Sequence, residues 1–336
     1  MAETNRCRAS CANCLRPKTG LMSRLVAAAV FLLAGAPASL MAFEAGYSEF
    51  PVQVNGLEIP YRVFAVYVLP GETLEVAAKA PDAAHDFVVT AAAGSRPQPS
   101  VAGWSWRAPS VPGISTLEIS SGADRVELNV VVLIPSTSIT DQRINGYRLG
   151  AYPEEPLNGN ALYLPPDGFV ELTKDNADLK LSPHFTLSQF PSKQSGDFPK
   201  YLVLREQLLL KLELLLEQVN RDGIAADTFT IMSGYRTPYY NAAIKNVPYS
   251  RHVFGGAADI YVDAAPRDDV MDDLNRDGRL DYRDAQHLYE IAHRLFSDPK
   301  YAMLRGGLGV YRSNAVHGPF LHMDARQHDA RWGALP

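Results

Sequence analysis

The sequence predicts a multidomain protein: an N-terminal all-β sandwich of immunoglobulin-like type, followed by a second domain that combines a long buried helix with short strands. Three observations carry this. Short β-rich runs recur between turn dipeptides from about residue 47 to 135, a leucine-dense stretch begins at Tyr201, and a segment rich in proline and glycine lies between them. The expected boundaries are a leader over 1–42, the β-domain over 43–136, a linker over 137–180 and the second domain over 181–336. A length of 336 residues suits two domains, and 46% hydrophobic content supplies enough apolar side chains for their cores.

The leader reads as an export signal. Arg24 precedes the apolar run Leu25–Ala34, and Ala36-Pro37-Ala38 places small residues at a cleavage position. An uncleaved anchor extending to Ala42 is the alternative, since about 20 apolar residues span a bilayer, so residues 25–42 are a candidate membrane tether. Either reading places the protein in the periplasm or cell envelope. Cys7, Cys11 and Cys14 all precede the apolar run. Their C-x3-C-x2-C spacing matches that of an iron–sulfur motif, but no barrel-forming pattern follows it, so residues of a leader are the better reading. No cysteine follows, so the exported part must hold together by packing. The leader carries five basic residues and one acid, which leaves −9 on the remainder of a chain whose net charge is −5. That balance argues against nucleic acid as the main partner.

In the β-domain, Tyr61–Val68 and Arg125–Val132 are β-branched and aromatic, and Pro70-Gly71, Pro81-Asp82, Gly94-Ser95 and Pro112-Gly113 punctuate the runs. Trp104 and Trp106 share a face across Ser105, which suits core packing better than a ligand platform. Spacing or docking is the expected role of this domain. The linker holds Pro135, Gly146, Gly150, Pro153, Pro156, Gly159, Pro165 and Pro166, a composition that favours extended or turn structure over a packed core.

Tyr201 to Val219 is too leucine-rich for a one-sided surface helix and too often charged for a membrane span, so a central buried helix is expected. A strand over Thr228–Met232 then leads into Ser233-Gly234-Tyr235-Arg236, where the Arg236 guanidinium offers a rigid fork for a carboxylate or oxyanion. His252 sits in a loop among small residues, Asp259 on the strand pattern Ala257–Val262, and His322 and Asp324 on a second strand, Phe320–Asp324. Residues two apart on a strand share a face, about 7 Å apart at ~3.3 Å per residue. Two histidines and a carboxylate make a three-ligand metal site that leaves one position open, the arrangement of catalytic rather than structural zinc.

Ser233-Gly234-Tyr235-Arg236, Ser250-x-His252-x-x-Gly255-x-Ala257-x-Asp259 and His322-x-Asp324 with the late Arg331-Trp332 resemble the D-alanyl-D-alanine carboxypeptidase-type zinc metallopeptidases, over roughly residues 181–333. The resemblance implies an α+β domain with a small antiparallel sheet and peptidoglycan peptides as substrate. It also implies His252, Asp259 and His322 as Zn2+ ligands, and Arg236 as a binder of substrate carboxylate or oxyanion. Where relatives carry an acid three residues before the last ligand, or a histidine two before it, this chain has Pro319 and Phe320. The candidate bases are therefore His317, preferred, and Asp324, which alternatively acts as a partner of a ligand imidazole.

Between the two metal strands, Asp273 to Asp284 matches a calcium-loop template. Asp273, Asn275, Asp277, Asp281 and Asp284 supply side-chain oxygens, Arg279 a carbonyl, and Gly278 the sharp turn at position six. A structural Ca2+ ion and a following helix over Ala285–Phe296 are expected. Two functions compete: an exported zinc carboxypeptidase or endopeptidase of peptidoglycan, and a non-catalytic peptidoglycan-binding protein whose metal site is structural or relictual.

Overall fold

The computed structural model describes residues 43–79, 86–101 and 103–333. The expected leader, its cysteines and its tether lie outside these residues. Among the described residues no helix is long and apolar enough to cross a membrane. The architecture is α+β, dominated by several small sheets with few helices.

Residues 47–132 form two sheets. One is antiparallel with five strands, in the order Leu57–Tyr61, Tyr47–Val54, Thr73–Ala78, Gly103–Arg107 and Gln98–Ser100. The other has four strands, in the order Val63–Val68, Asp124–Val132, Gly113–Ser121 and Val88–Ala91, and its first pair is parallel. Period-two alternation decides what each strand buries: Phe50, Val52 and Val54 from the first sheet, and Val126, Leu128 and Val130 from the second, enter one core. Trp106 is buried in it and donates Nε1–H to the Ala93 carbonyl at 3.1 Å, whereas Trp104 is half-buried. Packing is what these tryptophans do here.

The 137–180 stretch is extended and turn-rich, as its prolines and glycines dictate. It nevertheless buries Ile144, Tyr147, Leu149 and Phe169 around Tyr201. Its strand Gly168–Leu172 pairs with Lys200–Leu202. That pairing takes Tyr201 and Leu202 out of the expected helix, so helix α1 runs Glu206–Arg221 rather than from Tyr201. Apolar content alone does not separate a buried strand from the first turn of a buried helix. From Leu208 to Glu217 every residue of α1 is buried, Lys211, Glu213 and Glu217 included. Each has a partner: Glu213 accepts from the backbone N–H of His184 at 2.9 Å, and Glu217 from Tyr47.

The described residues from 43 to 333 form one compact unit, whose largest hydrophobic cluster runs from Phe50 to Met323. Tyr67 N–H donates to Glu206 at the start of α1, 3.2 Å away, and Asn129 Nδ2 to the Lys180 carbonyl at 2.9 Å. Two further helices follow, α2 at Pro238–Ala243 and α3 at Tyr282–Phe296. The sheet that carries the candidate ligands has five strands, in the order Thr230–Ser233, Ala257–Tyr261, Phe320–Asp324, Gly307–Tyr311 and Ala330–Trp332. It is antiparallel except for its last pair, Gly307–Tyr311 with Ala330–Trp332.

Candidate metal centre

Strand register brings the site together. Asp259 stands directly opposite His322 on one side and Ser233 on the other. Directly paired residues share a face, so Asp259 and His322 project together. His252 arrives from a single 3-10 turn, Arg251–Phe254, which Gly255 ends at φ 67°. A Cβ on Gly255 would lie 2.5 Å from the Val203 carbonyl, so only glycine allows this approach. Gly309, opposite His322 on its other side, leaves room for Trp332: a Cβ there would come within 2.1 Å of the indole. The Trp332 ring lies 5.2 Å from that of His322.

Three donor atoms converge. His252 Nε2 is 3.2 Å from both Asp259 Oδ1 and His322 Nδ1, and the last two are 2.8 Å apart. All three residues are buried, and among the described residues they are the one group of three or more His, Cys, Asp or Glu able to hold a metal ion. The outer contacts set the tautomers. His252 Nδ1–H donates to the Gly234 carbonyl at 2.7 Å, and His322 Nε2–H to Asp324 Oδ2 at 3.2 Å. Each ring therefore turns a lone pair inward. Two lone-pair nitrogens 3.2 Å apart cannot bond to one another, whereas a cation among them satisfies both and the carboxylate. The spacing fits, since bonds of about 2.0–2.1 Å in a tetrahedron place neighbouring ligand atoms roughly 3.3 Å apart. The fourth side faces a cleft of about 860 Å³.

No protein-family model matches the chain, and no curated protein is a significant sequence match.

At His252 the electrostatics point the same way. Burial lowers the pKa of His252 despite the Asp259 charge, so its ring is held neutral as a ligand requires. Burial also opposes charge on His322, but hydrogen bonds to Asp259 and Asp324 outweigh it and raise its pKa. Burial would raise Asp259 too, yet the two imidazoles beside it hold the carboxyl far below the usual carboxylate range.

Asp324 is fully buried and saturated. Its Oδ1 accepts from Gly307 N–H at 2.8 Å, and both oxygens accept from Arg326 Nε at 2.9 Å. Burial pushes its pKa up, but His322 and Arg326 hold it far below the ordinary range. A carboxylate so engaged orients His322 and is poorly placed to take a proton from water. Arg236 serves the site as well as the cleft: its guanidinium donates to Asp259 Oδ2 and, through Nε, to Ser233 Oγ at 2.8 Å, while the residue also lines the cleft wall.

His317 lies on the same cleft. Its Nδ1–H donates to the Gly318 carbonyl at 2.8 Å, and Nε2 accepts from Asn314 Nδ2 at 2.8 Å. Its ring packs edge-on against Phe320, 4.9 Å away. The half-buried imidazole thus keeps a lone pair on Nε2.

The calcium-loop residues are arranged otherwise than a metal cage. Asp273 accepts from the N–H groups of Asp277 and Gly278, Asn275 from Asp277, and Asp277 from Arg279. Asp281 and Asp284 form the capping box of α3. The carboxylates of 273–284 make no group of three converging on one point, among the described residues. These oxygens accept from nearby backbone N–H groups, as short acidic side chains in tight turns do. Gly278 has φ 80°, in keeping with the turn expected at position six.

Two participants escape a sequence reading, Arg326 and Lys211, while Ser233 stands in the quoted motif without an assigned role. Arg326 had a signal, standing two residues after Asp324. Lys211 had one too, as a lone cation in a leucine run.

Proposed function

We propose that this chain is an exported zinc peptidase that hydrolyses peptide bonds beside D-amino acids in peptidoglycan. The observation that carries the reading is the buried His252–Asp259–His322 triad, with both imidazole lone pairs turned to one point that opens on a cleft. A zinc ion bound there supplies Lewis acidity toward the scissile carbonyl and lowers the pKa of water to near 7. His317 acts as the general base, since Asp324 is saturated whereas the Nε2 lone pair of His317, on the cleft wall, is engaged only by the exposed Asn314 amide, which a water can replace. Arg236 keeps Asp259 aligned through Nη2, is itself held by Ser233 through Nε, and offers the substrate oxyanion or carboxylate its remaining Nη1. We assign a structural calcium ion to the 273–284 loop, on the strength of its ligand order, the Gly278 turn and the exiting helix α3. We also read the two sheets of 47–132 as an immunoglobulin-like sandwich that braces α1 and so the ligand sheet.

The test is digestion of purified muropeptides by zinc-loaded protein, with products read by mass. Cleavage is expected, and His322→Ala should abolish it together with stoichiometric zinc. Zinc bound without any product would favour the non-catalytic peptidoglycan-binding reading. A His322→Ala protein with full zinc and full activity would overturn the site.

A further inference from the structure

The cleft does not end at the triad. A second depression of about 270 Å³ adjoins it, and Met232, Val316 and His317 line both. The two differ in chemistry. The main cleft carries Arg236, Arg251 and Arg326. The second is walled by Val270, Met271 and Pro319, with Asp269 at its edge and, among the described residues, no lysine or arginine.

Its far wall is a built loop. Asp263 accepts from the N–H groups of Asp268 and Asp269, each at 3.0 Å, and Asp272 accepts from that of Ala264 at 2.9 Å. Tyr261 donates its hydroxyl to the Asp269 carbonyl at 3.1 Å, which ties this wall to the strand carrying Asp259. Val270 and Val316 are 44% and 90% exposed, so two loops hold apolar side chains open to solvent along one groove continuous with the reaction site. The main cleft alone is as large as sites that take drug-sized ligands, far more than a terminal alanine fills. Room therefore extends from the triad cleft into the adjoining depression.

We infer that the protein is an endopeptidase rather than a carboxypeptidase, with one arm of a cross-linked peptidoglycan peptide among the arginines and the other in the Val270–Val316 groove. This rests on the peptidase reading above. Alanine methyl groups of the second arm pack on Val270, Met271 and Val316, and its ammonium group faces Asp269. In the reaction the water oxygen adds to the scissile carbonyl carbon and the C–N bond breaks. The departing nitrogen leaves as an amine, carrying the proton that His317 took from the water.

The experiment compares two probes with zinc-loaded full-length protein: a cross-linked muropeptide dimer, and a monomer ending in D-Ala-D-Ala. Internal cleavage of the dimer should exceed terminal D-Ala release by about tenfold or more in kcat/KM, the scale of lost pocket contacts. Val270→Arg, which fills the groove and adds a cation to it, should cut that ratio about tenfold at unchanged zinc content. Release of terminal D-Ala with the dimer left intact would overturn the inference and leave the peptidase reading standing. A ratio indifferent to Val270→Arg would remove the groove assignment. No cleavage of either probe would overturn both.

Discussion

At the scale of single residues, the site separates groups by how many partners each already has. Asp324 receives hydrogen bonds from His322, Arg326 and Gly307, so none of its oxygens is left for water. His317 has one nitrogen committed as a donor to Gly318, and its Nε2 accepts a hydrogen bond that a water can replace. His317→Ala should therefore lower kcat by about 10²–10⁴, as loss of a general base does, with zinc still near one per chain. Asp324→Asn should act on the metal, weakening zinc by about 10–100-fold through a misdirected His322. Zinc titration beside steady-state kinetics distinguishes them. The opposite ranking of the two kcat losses would give the proton to Asp324.

At the scale of elements, the 273–284 loop and helix α3 form a unit whose acidic side chains have two alternative employments. Asp281 and Asp284 cap α3, and Asp284 also holds the N–H of Leu274 at 2.9 Å. A calcium ion would draw these oxygens inward. Binding to the native state alone stabilises by RT ln(1 + [L]/Kd), about 2.7 kcal/mol at a hundredfold excess, which raises Tm by about 5 °C in a chain of this size. Differential scanning calorimetry of chelator-treated protein, with and without millimolar calcium, measures this. Asp277→Ala should erase the response, because Asp277 has no part in the α3 cap and its loss leaves the helix start intact. A melting temperature indifferent to calcium would leave 273–284 as an acidic turn whose function is to start α3.

At the scale of the whole molecule, α1 joins the two-sheet region to the ligand sheet through one continuous core, and a cation is buried in that core. Lys211 donates Nζ–H to the Asp324 carbonyl at 2.7 Å and lies 4.6 Å from the centre of the Phe296 ring. Burial pushes its pKa down to about 8, against the pull of the Asp324 charge. The gap from an ordinary lysine near 10.4 corresponds to about 3 kcal/mol. The sign follows from proton counts. Between pH 8 and 10.4 the unfolded chain binds a proton that the folded chain has released, so stability rises with pH across that window. The gain is complete above about 10.4 and lost as pH falls through 8. Tyrosines also titrate in this range, so the measurement is a difference: denaturant unfolding of wild type against Lys211→Met at pH 7 and pH 10. Wild type should gain about 2 kcal/mol relative to the variant on going from pH 7 to pH 10, the remainder coming above pH 10. A difference that stays constant with pH would mean that Lys211 keeps its proton throughout.

The sequence by itself determined what depends on local pattern and local chemistry. The Phe320–Asp324 strand, the buried helix within 206–219 and the α3 helix could be read from it, because periodicity and capping act within a few residues. So could the identity of His252, Asp259 and His322 as donors, since few residue types ligate a metal. Tertiary structure decided the rest, because it depends on which distant segments meet. Pairing of Gly168–Leu172 with Lys200–Leu202 set where α1 begins and drew the 137–180 stretch into the packed core. Cross-strand register, not spacing along the chain, placed Asp259 opposite His322. Only the packing of α1 beneath that strand put Lys211 within reach of the Asp324 carbonyl, 113 residues away in sequence, where burial outweighs its preference for charge.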